Sequence, residues 1–128
     1  MASMSKLSPV RVTIHRGAEE IGGNAIELRC EDTRIVLDLG EALQKPSESL
    51  RQADAARLAA LGCHKAAATG ERPAGILLSH SHRDHYGLVR QVHPDIPVFI
   101  SHGMENIFRA AWRFLPDGRS IAAALRRG

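Results

Sequence analysis

Disulfide chemistry has little to work with in this chain: two cysteines, Cys30 and Cys63, stand among 128 residues. They form no CxxC pair and no disulfide framework, so reduced thiols in a cytoplasmic protein are the expectation. Aromatic residues make up only 4% of the chain, so a core must rest on Leu, Ile, Val and Ala. No apolar run approaches the roughly 20 residues that a membrane-spanning helix needs. No apolar stretch follows Lys6 near the N-terminus, which argues against a signal peptide. Internal repeats and long low-complexity tracts are absent as well. Charge of either sign is modest, with 17 Lys and Arg against 14 Asp and Glu and a formal net charge of +3. The resulting isoelectric point of about 9.3 permits an acidic partner such as nucleic acid without requiring one.

What is present suits one globular domain over residues 1–128. The hydrophobic share is 44% and the charged share 24%, enough for a real but modest core. Val10 to His15 alternates apolar and polar residues, the pattern of a half-buried strand. Gly22-Gly23 lies in the loop that follows. No Lys-Ser/Thr comes after it, which excludes a P-loop, and a plain hairpin turn is the expectation. Asn24 to Cys30 alternates again, with Ile26, Leu28 and Cys30 on one side. After the polar turn Glu31-Asp32-Thr33, the run Arg34 to Leu37 reads as a buried strand closing a hairpin. Asp38 ends that strand. A carboxylate there is costly to bury without partners, so it is either a turn residue or a group that orients neighbouring side chains.

Ser47 is placed to cap a helix carrying Leu50, Ala53, Arg57, Leu58 and Leu61, and Gly62 is placed to stop it. Cys63 to Gly75 is rich in Ala, Gly and Thr and reads as a surface connector, with Cys63-His64 a structural pair rather than a ligand pair. Tyr86 to Val92 reads as a short helix and Pro97 to Ile100 as a strand. A helical crossover between two apolar strands implies a parallel pair. Ser101 opens a helix with a stripe of Met104, Ile107, Phe108, Ala111, Trp112 and Leu115, ended by Pro116-Asp117-Gly118. Residues 119–128 form a basic, Ala-rich tail, expected to be loose.

The chemistry concentrates between these elements. Three of the seven histidines fall within His80-Ser81-His82-Arg83-Asp84-His85, directly after the apolar strand Ile76 to Leu78. Imidazole is the commonest metal-binding side chain and Asp adds a hard oxygen donor. Period-two alternation places His80 and His82 on one side of the strand end. Asp84 and His85 follow at the turn, within reach of a second position nearby.

His80 to His85 resembles the H-x-H-x-D-H signature of the metallo-β-lactamase superfamily. Gly17-Ala18-Glu19-Glu20-Ile21-Gly22-Gly23-Asn24, followed by Ile35-Val36-Leu37-Asp38-Leu39-Gly40, is similar to the opening of its ribonuclease J and β-CASP branch. The resemblance implies an α/β fold, the N-terminal half of an αββα sandwich with a mixed sheet and flanking helices. It implies zinc, two ions in the family, with manganese as an alternative. His80 and His82 would hold one ion, and Asp84 and His85 the second. Asp84 and His85 would also be the catalytic pair, Asp84 steering a nucleophilic water, while Asp38 would orient the metal loop. RNA or another phosphodiester is the implied substrate.

The chain also departs from that family. Further ligands come there from later strands, but only 43 residues follow His85 here. His93 and His102 are the only later histidines, and neither has a recognisable third-motif context; of the two, His102, after a strand and also at a helix start, stands as the candidate ligand. Three readings therefore stand: a phosphodiester-cleaving metallo-hydrolase, whole or truncated; a metallo-hydrolase of small esters, thioesters or lactams; and a non-catalytic or split half-domain acting as a binding module. A half-sandwich leaves an open sheet edge and an apolar face, so a homo-oligomer or a complementary segment is the expected partner.

Overall fold

The computed structural model describes residues 7–115 together with Ala123 and Leu125. It is an α/β fold with five strands in one mixed sheet. The elements run β1 (Arg11–Arg16), β2 (Ala25–Cys30), β3 (Thr33–Leu37), α1 (Glu48–Ala60), β4 (Gly75–Leu77), α2 (Arg83–Tyr86), β5 (Val98–Phe99) and α3 (His102–Ala111). Strand order in the sheet follows the chain, β1-β2-β3-β4-β5. The first three strands pair antiparallel, whereas β3–β4 and β4–β5 are parallel. The expected parallel pair is thus present. Among the described residues no helix is long and apolar enough to cross a membrane.

Local chemistry explains the helix ends. The Ser47 hydroxyl accepts from the Leu50 amide at 3.2 Å, capping α1, and Ser101 does the same for α3 through Met104. Past α1, Gly62 adopts φ +68°. Its amide bonds Ala59 and the Cys63 amide bonds Leu58, a Schellman closure that needs a left-handed residue at this position. Cys63 is consequently fully buried. Burial pushes its thiol up to about 12, so it serves as a core residue.

The helices lie on one side of the sheet. Val36, Ile76 and Val98 are buried there with Leu58, Leu61, Met104 and Phe108. Tyr86 meets Phe108 edge to face, with ring centroids 4.9 Å apart. Near β1 and β2 this same side is polar: Glu27 is buried with Arg34 at 3.2 Å and His15 at 3.5 Å, and Arg16 reaches Asp54 of α1 at 2.6 Å. The opposite side carries two apolar rows. Register aligns Val12, Leu28 and Ile35 in one row, and Ile14, Ile26, Leu37, Leu77 and Phe99 in the other. None of these eight side chains is buried.

Several expectations need correction. The first strand ends one residue later than the alternation suggested, because a bulge between Ile14 and Arg16 shifts its register. Gly22-Gly23 is not a tight hairpin turn. It lies within the longer loop joining β1 to β2, and Gly22 forms an isolated bridge with Ala42. The helix expected over Tyr86 to Val92 does not form as a unit. Instead α2 ends at Tyr86 and a 3₁₀ turn covers Val89–Gln91. The reason is competition for backbone partners: the Leu88 amide bonds Leu39 while the Asp84 carbonyl accepts from Asn24. In α3, Met104 and Phe108 are buried as the stripe required, but Ile107 is 54% exposed. The helix gives way at Ala111 to a tighter turn in which the Phe114 amide bonds Ala111. The proposed helix stop at residues 116–118 lies outside the described residues, as does most of the basic tail. Of the two described tail positions, Leu125 is helical and buried in the core.

Candidate metal centre

Parallel pairing of β3 and β4 brings the ends of both strands to the same edge of the sheet, and the candidate centre is built there. Asp38 follows β3 and its amide bonds the Leu77 carbonyl at 2.9 Å. It adopts φ +59°, a conformation that Asp tolerates better than most residues. This turns its carboxylate toward the loop after β4. There it accepts three bonds of 2.7 Å each: one oxygen takes the Ser79 amide, the other the Ser79 hydroxyl and His85 Nδ1. A buried carboxylate so satisfied orients its donors rather than destabilising the fold. Because an ionised carboxylate only accepts, Nδ1 of His85 must be the donor. That presents Nε2 of the same ring to Asp84 Oδ2, 3.3 Å away.

The backbone of residues 38–41 fastens the motif loop at further points. Leu39 donates to the His85 carbonyl at 2.8 Å, Gly40 to Asn24 at 3.0 Å and Glu41 to Arg83 at 3.1 Å. Asn24 donates in turn to the Asp84 carbonyl at 3.0 Å. A Cβ on Gly40 would stand 1.6 Å from the Asp84 carbonyl oxygen, so only glycine allows this approach. The glycine-rich loop, Asp38-Leu39-Gly40 and the histidine motif, distant in sequence, therefore form one hydrogen-bonded unit.

On this base, His80, His82 and Asp84 bring one ligand atom each to within 4.8 Å of one another. His82 is exposed, and the other two are half-buried. The His80 and His82 rings stand 4.9 Å apart at 76°, and the His85 ring lies 3.6 Å from that of His80. Asp84 joins the two histidines while remaining next to His85, and His85 is held by Asp38. A bend over residues 80–82 accounts for it: the chain turns there into α2, with His82 as its extended N-cap, and this brings Asp84 beside the two histidines.

The remaining candidates lie elsewhere. His102 is 85% exposed at the start of α3, 3.7 Å from Glu105, and takes no part in the cluster. His64 pairs with Val92 in an isolated bridge. His93 contacts Arg72 at 2.9 Å. Beside the motif loop, Glu41 pairs with Arg83 at 2.9 Å and Arg90 at 3.2 Å. These side chains help line a cleft of about 330 Å³ that also includes Arg51 and Asp54. Sequence reasoning gave no role to Ser79, Asn24 or Gly40. The available signals were a hydroxyl directly after the apolar strand, and an Asn and a Gly at the ends of the two segments that flank Asp38.

No family model matches this sequence, and no curated protein does. Among solved structures, it is similar to a protein of unknown function from Enterococcus faecalis V583, with a TM-score of 0.59 and 25% identity. The likeness covers 83% of this chain and 28% of that one. The present chain thus spans less than a third of that protein's length.

Proposed function

We propose that this chain is a metal-dependent hydrolase of the metallo-β-lactamase type, favouring RNA or another phosphodiester. The observation that carries the reading is the His80, His82 and Asp84 group. Two imidazoles and a carboxylate are a usual donor set for catalytic zinc, which takes three protein ligands and leaves one position open. Ligand atoms around one zinc lie roughly 3–4 Å apart, so a spread within 4.8 Å closes with small side-chain rotations. The set fits one ion; the second ion of the resembling family would have to draw on His85. When bound, such an ion polarises a scissile phosphoryl oxygen and acidifies water at neutral pH.

The chain's own residues supply the rest. Asp38 and Ser79 fix the His85 ring, and the clamp at residues 38–41 fixes the loop carrying Asp84. Asp84, with a second oxygen available, can accept a proton from an attacking water. Arg83 and Arg90, anchored by Glu41, place positive charge beside the loop, which favours a phosphodiester over a neutral ester.

Elemental analysis of protein purified without chelator tests this reading. Wild type should carry near-stoichiometric zinc or manganese, lost in a His80→Ala/His82→Ala variant, with cleavage of single-stranded RNA exceeding that of a simple ester. Little metal in either protein would sink the proposal and favour the non-catalytic half-domain.

A further inference from the structure

We infer that Ser79 is a positioning residue for His80. Through the Ser79 hydroxyl, Asp38 fixes the His80 ring with its proton on Nδ1 and leaves Nε2 as the atom offered to a metal ion. Only the use made of Nε2 rests on the metallo-hydrolase reading; the place of the proton can be read without metal.

The hydrogen bonds around Ser79 leave one arrangement of protons. Its hydroxyl has three neighbours: Asp38 Oδ2 at 2.7 Å, His80 Nδ1 at 3.1 Å and His85 Nδ1 at 3.3 Å. A hydroxyl owns a single proton and two lone pairs. An ionised carboxylate only accepts, so the short contact between the two oxygens requires the hydroxyl proton to lie between them. Toward both rings the hydroxyl can then only accept. The proton on His85 Nδ1 goes to Asp38, its nearer partner at 2.7 Å. The His80 Nδ1 faces a lone pair and must therefore carry a proton itself. A neutral imidazole has one such proton, so Nε2 is left bare, and a bare ring nitrogen is what a metal binds. A histidine side chain free in water favours the opposite tautomer, with its proton on Nε2. The tautomer at His80 is thus imposed by its partner.

Local structure explains why two neighbours in sequence meet. In an extended chain the side chains of residues 79 and 80 would point to opposite faces. The bend that starts at His80 lets its ring reach the Ser79 hydroxyl, with the His85 ring 3.6 Å away. One carboxylate in this way sets two rings, His85 directly and His80 through one hydroxyl. Ser79 is exposed, and its amide separately ties the loop to the other oxygen of Asp38 at 2.7 Å. Removing the hydroxyl leaves that tie in place.

Long-range proton–nitrogen NMR spectra of the full chain test the inference. The protein is freed of metal and held at about pH 8.5, where imidazole is neutral. Wild type should show His80 protonated on Nδ1. Ser79→Ala should return the proton mainly to Nε2, and Ser79→Thr, which keeps the hydroxyl, should restore it to Nδ1. Asp38→Asn reverses the relay: its NH₂ donates to the Ser79 oxygen, the hydroxyl turns to donate to His80 Nδ1, and the ring proton moves to Nε2. A residue that merely packed the loop would give none of these inversions. Zinc titration calorimetry is the second readout. Affinity should fall about 10–100-fold in Ser79→Ala and stay near the wild-type value in Ser79→Thr. Wild-type His80 protonated on Nε2, a proton that stays on Nδ1 in Ser79→Ala, a threonine variant that does not restore it, or equal zinc affinity in wild type and Ser79→Ala would each overturn the inference. If the tautomers follow the expected pattern while wild type binds no zinc, the hydrolase reading fails and the positioning of His80 stands.

Discussion

Asp38 shows how much one side chain decides. Its carboxylate answers three donors on two residues, and those residues flank the candidate ligands. Asp38→Asn is the informative substitution. Asn also tolerates the left-handed backbone, so φ +59° is kept without new strain. The amide can still accept from the Ser79 amide, but its NH₂ cannot accept from Ser79 Oγ or from His85 Nδ1. Zinc affinity should fall about 10–100-fold, the usual effect of losing a partner behind a metal ligand, while stability falls by only about 1–2 kcal/mol. Calorimetric zinc titration beside thermal unfolding separates the two effects. Unchanged affinity would mean that Asp38 organises the loop without influencing the ligands. Cys63 makes the opposite case. Its neighbour His64 suggests a ligand pair, but burial and a thiol pushed up to about 12 leave it without a thiolate at neutral pH.

At the scale of elements, the segment after β3 acts as a clamp and Gly40 is its tightest point. In Gly40→Ala the new methyl would strike a carbonyl oxygen that is itself held by Asn24, so neither side yields. The expected destabilisation is about 3 kcal/mol, the upper end of the range for overpacking, with loss of metal stoichiometry. Urea unfolding and metal analysis check it, and a variant within about 1 kcal/mol of wild type that still binds metal would falsify the clamp. The same segment marks the limit of sequence reading. Alternation in β1 and β2, the capping of α1 by Ser47 and of α3 by Ser101, and the run before His80 were all legible, because each depends on residues close in sequence. The helix expected over Tyr86 to Val92 was not, since Leu88 and Asp84 spend their backbone groups on Leu39 and Asn24. Ser79 and Asn24 were invisible as site residues for a similar reason: their roles exist only once β3 and β4 lie side by side.

For the whole molecule, the sequence indicated a mixed sheet with helices but not which side of the sheet they cover. Period-two alternation has the same appearance whichever face is inward. In β1 and β2 the apolar set points away from the helices, because Glu27 gathers Arg34 and His15 on the inner side. That arrangement leaves the core between the sheet and its helices to hold the fold. Val12→Lys/Ile14→Lys, at positions more than half exposed on the outer rows, should therefore shift the melting temperature by no more than about 4 °C. Scanning calorimetry reads it. A fall of more than about 8 °C would mean that the outer rows carry a share of the stability which their exposure does not suggest.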